Sequence, residues 1–260
     1  MPAHFDAIGF QPEPRPDGVK NLVLQAANLG RRFQSPRGWY SAWAPGNGVE
    51  LWVAMENSGH VLGCSPFFLG ISEVSFRLEH FETRPPVYAP PLEGGLAGWV
   101  AASPTDPRSG LCPLLVDLPD FDLRRDALVI PSHLTLRVAA FAHWLDCFSN
   151  DAEYLASQAQ TEGTLRYSSD YFAPSGLFAP KGEPNWHPRA YANFAGHVEG
   201  AEVVTNPISN RPFHHLVVRT GAGVFDVVAD PAIPSGTPKV GGVVHGEFWL
   251  SGRILTKDSK

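Results

Sequence analysis

The chain has 260 residues, with 25 glycines, 25 prolines, 7 tryptophans and a formal net charge of -6. So much proline excludes a coiled coil or a long-helix protein, and 43% hydrophobic residues exclude a disordered chain. No stretch carries the Lys/Arg excess that neutralises phosphates, which argues against nucleic acid as a partner.

Residues 1–20, with Pro12, Pro14 and Pro16 in alternation, read as an extended lead-in, and Leu22 to Leu29 as a short helix. In VELWVAM, Val49, Leu51, Val53 and Met55 share one strand face. Asn57-Ser58-Gly59 is a turn before HVLG. Val74, Phe76 and Leu78 alternate with Ser75, Arg77 and Glu79, as in a half-buried antiparallel strand. TRPPVYAPPLEGG is a loop, LAGWVAA and LCPLLVDL are strands, and SPTDPRSG is the turn cluster between them.

A helix is expected from Ser132, because Leu134, Val138, Phe141, Leu145 and Phe148 fall at helical spacing. Asn150 with Glu153 three residues on predicts a second helix to about Gln160. Residues 171–190 form a Pro/Gly-rich connector. Four strands follow at roughly 192–204, 212–220, 224–229 and 241–255, with Thr220-Gly221-Ala222-Gly223 as a hairpin turn.

The expected class is α+β, predominantly antiparallel β. A β-rich N-terminal domain (1–130) and a small C-terminal barrel (191–260) are joined by a helical segment and connector (131–190). Over about residues 190–256 the strand order and corner glycines resemble an OB-type barrel. PSGLF and FWLSGRI are similar to segments of uncharacterised bacterial proteins, a resemblance that implies no activity.

Alternation along the last strands puts Leu216, Val218, Phe225, Val227, Val244, Phe248 and Leu250 inside. It leaves His215, Arg219, Asp226, His245, Glu247 and Trp249 on one outward face. Aromatics among hydrogen-bonding charges suit a recognition surface, although a solvated sheet face with cross-strand ion pairs has the same pattern.

Catalytic signatures are weak. His197, His214, His215 and His245 lack metal-ligand spacing, and adjacent strand histidines point to opposite faces. Asp117, Asp120 and Asp122, and the acid pairs Glu50/Glu56 and Asp226/Asp230, are common patterns. Neither Ser65 nor Cys64 stands in a nucleophile elbow, and the TGAG turn has no helix after it. No cofactor and no metal are expected. Cys64, Cys112 and Cys147 are odd in number and widely spaced, which fits a reducing cytoplasm. There is no signal-like N-terminus and no apolar run long enough to span a membrane.

The preferred expectation is a non-catalytic protein that binds a protein partner, or a small molecule, through the polar and aromatic face. The alternative is a hydrolase or lyase with a His/Asp site between the two β halves.

Overall fold

A computed structural model describes residues 3–10, 16–83, 92–101, 110–159, 166–179, 182–183 and 186–255. The loop expected at 83–95 and the turn at 103–110 lie largely outside these residues. The N-terminal lead-in is partly helical, with α1 (Ala3–Asp6) followed by a turn at residues 7–9, and α2 (Pro16–Leu29) beginning within it. Proline is tolerated at a helix start because its missing N–H would be unpaired there in any case.

β1 (Arg31–Ser35), β2 (Gly38–Gly46), β3 (Val49–Met55) and β4 (Val61–Phe68) form an antiparallel meander. Asn47 (φ 51) and Gly48 (φ 75) turn the chain between β2 and β3 in the left-handed region that tight hairpins need. β3 is buried along its whole length, so Glu50 and Trp52 are covered as fully as the predicted Val49/Leu51/Val53/Met55 face.

β5 (Val74–Thr83), β6 (Gly94–Ala101) and β7 (Gly110–Asp117) come next, followed by α3 (Phe121–Arg124) and β8 (Ser132–Phe148). Then come α4 (Asp151–Ala159), β9 (Phe172–Ala173), β10 (Tyr191–Thr205), β11 (Pro212–Thr220), β12 (Gly223–Ala229), β13 (Pro234–Ser235) and β14 (Val243–Ile254). These ten strands make one sheet. The chain is mostly β, largely antiparallel, with few helices. Phe194, Phe225 and Phe248 are fully buried, and Phe194 stacks on Phe248 at 3.9 Å.

The stretch expected as the main helix is a 17-residue strand, β8. It is covered on both faces from Val138 to Ala142. A strand apolar on both sides reads as a continuous run, and from a continuous run a helical spacing can always be picked out. Asn150 and Glu153, by contrast, do open α4. Asn150 Oδ1 accepts the Glu153 N–H at 3.0 Å, and Glu153 reaches back to the Ser149 N–H at 2.6 Å.

Two cycles of strand pairing share the β8–β14 seam. One runs β8–β14–β10–β11–β12 and returns to β8 through a parallel pairing, Asp226 beside Ala139 to Val228 beside Phe141. The other runs β8–β5–β6–β7–β14 and closes on Ser251 beside Asp117. The strands of 190–256 therefore do not close on themselves as an OB-type barrel would; β8 completes their ring. A shared pair of strands, and not a helix, joins the two β halves.

Candidate functional site

Strand register puts His215, Arg219, Asp226, His245, Glu247 and Trp249 on one side of the sheet, but neighbouring elements cover much of it. His215, Asp226 and Trp249 are only 5%, 1% and 8% exposed, so half of the expected outward face is interior. The sequence concealed this because alternation assigns a side and says nothing of what lies against it. Phe213 shows the same effect: two residues before His215 and on the same side of its strand, it is fully buried with Phe68 edge-on at 5.7 Å. The N-terminal segment is tied over the same end. Asn206 donates to the Ile8 carbonyl at 2.8 Å, and Ser209 donates to the Gly9 carbonyl at 2.7 Å.

His215 and Asp226 form a latch beneath the β4–β5 connection. His215 bonds Asp226 through Nε2 and Glu202 through Nδ1, each at 2.8 Å. Asp226 accepts the Ser72 N–H at 2.8 Å. Burial opposes charge on the imidazole, but the hydrogen bonds and charges of Asp226 and Glu202 outweigh it and hold the His215 pKa above its ordinary value. Burial likewise opposes charge on Asp226, yet the His215 bond and the Ser72 N–H hold its pKa below the usual carboxylate value. Arg219 lies apart from this pair, exposed and bonded to Glu199 at 2.6 Å.

Trp249 anchors a second cluster. Its Nε1 donates to Asp117 at 2.7 Å, and its ring carries the His4 ring at 4.2 Å, 9° from parallel. His4 Nε2 meets His143 Nε2 at 2.9 Å, with the two rings 8° from coplanar. One imidazole must donate and the other accept, so the pair holds a single proton between facing nitrogens. His143 Nδ1 is 3.4 Å from Glu247. Burial, then the charge of His143, pushes the His4 pKa down to about 4.

His245 is the hub of the third cluster. Trp144 stands edge-on to it at 4.8 Å, and Tyr154 and Tyr171 pack at 5.9 and 5.8 Å. The Tyr171 hydroxyl bonds Asn193 and reaches His245 Nε2 at 2.9 Å. Burial keeps His245 neutral by lowering its pKa, against the raising pull of Asp146. Beside it opens a cleft of about 550 Å³, with Asp146, Phe148, Glu153, Ser157, Gln158 and His245 among its lining. None of the described residues lining it is a lysine or arginine. Cys147 also lines it, but burial pushes its thiol up to about 11, so it is not a thiolate nucleophile near neutral pH. Tyr154 and Trp144, which frame this site, were missed because they sat in segments expected as helices.

The four histidines considered together do not converge. His197 bonds Asp151 at 3.0 Å, His215 sits in the latch, and His245 lies by the cleft. His214 leaves its strand opposite His215. Asp120 and Asp122 are bound by Arg124 and Arg37 at α3. Among the described residues no group of three or more His, Cys, Asp or Glu side chains is spaced to hold a metal ion, and no helix is long and apolar enough to cross a membrane.

No protein-family model matches the chain, and no curated protein or solved structure matches it.

Proposed function

We propose that the protein is a non-catalytic binding protein and that the open part of its polar face, at the His245 cleft, receives a cationic side chain of a protein partner. The observation that carries this is the lining. The carboxylates of Asp146 and Glu153 stand beside a neutral imidazole, and no lysine or arginine is among the described lining residues; the charge that bears on Glu153 is Lys239, outside the lining. Trp144, 36% exposed beside His245, offers a ring face at which a cation gains further stabilisation. Glu247, with its side chain 39% exposed, extends the acidic character along β14.

The His215–Asp226 pair bears on the hydrolase or lyase reading because it lies between the halves. Both of its imidazole nitrogens are engaged by carboxylates, which leaves neither for proton exchange with a substrate. The pair supports the binding reading by fixing the sheet that carries the cleft.

The test is fluorescence anisotropy with labelled peptides of equal length, one rich in Lys/Arg and one in Asp/Glu. The basic peptide should bind, weaken with salt, and lose at least tenfold in affinity to Asp146→Asn and to Trp144→Ala. Equal binding of both peptides, or binding indifferent to both substitutions, would sink the proposal.

A further inference from the structure

Arg137 and Arg253 stand directly opposite one another across the β8–β14 seam. Their side chains leave on the face that meets the four-stranded meander. Arg253 reaches β3 there, with Nη1 3.1 and 2.9 Å from the two carboxylate oxygens of Glu50. Its guanidinium also lies 4.9 Å from the Trp52 ring centroid. Glu50 further accepts the Trp52 Nε1–H at 2.8 Å, so this carboxylate is committed to Arg253 and Trp52.

Among the described residues no hydrogen bond or ion pair of this kind serves Arg137. Its Nε is shielded from solvent and has no hydrogen-bond partner among the described residues. Ser251, two residues before Arg253 on the same face, is fully buried, and its Oγ is likewise without a partner. Across the seam Ser251 faces Ala139, which brings only a methyl group, and on its other side it is paired with Asp117, whose carboxylate accepts the Trp249 Nε1–H. Two guanidiniums are thus set side by side, Glu50 serves only one of them, and two donors are orphaned. Like charges placed directly opposite repel, and a shielded donor without an acceptor is destabilising. An oxyanion removes both defects. Two of its oxygens match the planar guanidinium fork, and it accepts the serine hydroxyl as well.

We propose that Arg137, Ser251 and Arg253 form an oxyanion-binding site that takes a single carboxylate or phosphate group. It is separate from the His245 cleft and does not depend on the reading given to that cleft.

The test is the melting temperature of the full chain titrated with inorganic phosphate and, in a second arm, acetate, at ionic strength fixed with chloride. Wild type should show a saturable rise in one arm, and the arm that responds identifies the anion class. Arg137→Met, which keeps an apolar stem and removes the fork, should abolish the rise. In chloride alone that variant should melt within 2 °C of wild type or higher, since it removes a like-charge neighbour. No saturable rise in either arm, an equal rise in the variant, or a variant that melts far lower in chloride would each overturn the proposal; the last would make Arg137 a structural residue.

Discussion

His215 lies where three separate stretches of chain meet, and its protonation holds them together. The folded state raises its pKa, so its contribution is full below the ordinary value of 6.5 and is lost as pH rises through the raised one. Asp226, held below its ordinary 3.8, contributes above that value and loses its contribution as pH falls through the lowered one. Between these limits the latch is intact. His215→Leu removes one partner of a buried pair and should cost about 3 kcal/mol at pH 5.5. Urea unfolding at pH 5.5 and 8.5 should show that loss shrinking at the alkaline pH. His4 works in the opposite sense: its pKa falls from 6.5 to about 4 on folding, so between those values the unfolded chain binds more protons and stability rises with pH. His4→Phe should flatten the acid side of the unfolding profile, and an unchanged slope would assign it to other groups. Gly70 belongs to the same junction. A Cβ there would lie 2.0 Å from the Asp226 carboxyl carbon, so Gly70→Ala should cost about 1–3 kcal/mol in the same urea assay.

Single elements were legible in the sequence to the degree that their two faces differ. β5, β10, β11, β12 and β14 alternate cleanly or end at glycine turns, and their observed bounds lie within a residue or two of those expected, while the two-residue β13 reads as loop in the sequence. β8 lacks that contrast. Leu136, Val138, Ala140 and Ala142 line one side and Ala139 and Phe141 the other, all of them buried. A pattern of two buried faces is set by tertiary covering and has no local signature. The α4 start was legible because its signal is local, a side chain bonding a backbone group three residues away. Asn150→Ala should therefore cost about 1 kcal/mol. Faster hydrogen exchange of the α4 amides is the direct readout, and unchanged exchange would show that Tyr154 packing alone holds the helix. The site was legible only in part for the same reason. Strand parity placed six side chains on one side of the sheet, but nothing near them in sequence reported that the β4–β5 connection and α1 lie over three of them.

At the scale of the molecule, the shared seam makes the two rings interdependent. Each ring uses β8 and β14, and no subset of strands before residue 130 closes a cycle. Calorimetry of the full chain should give one cooperative transition. A fragment of residues 1–130 lacks two of the five strands of its ring, and a fragment of residues 190–260 lacks β8; both should give the poorly dispersed amide NMR spectra of unfolded chains. A well-dispersed spectrum from either would show that the seam is dispensable.

The seam also sets an order of events during synthesis. β14 is made after every other strand in the ring pairings, yet both cycles need it. A nascent chain that has emerged only through β12 holds its ring strands as one open sheet, from β10 through β11, β12, β8, β5 and β6 to β7, whose two edge strands both await β14. Pairings such as Arg137 with Arg253 also span more than a hundred residues, which slows closure. The interval before β14 arrives is thus the time of greatest exposure to edge-to-edge association, and shielding those edges then matters more to the yield of native protein than the stability of the finished fold.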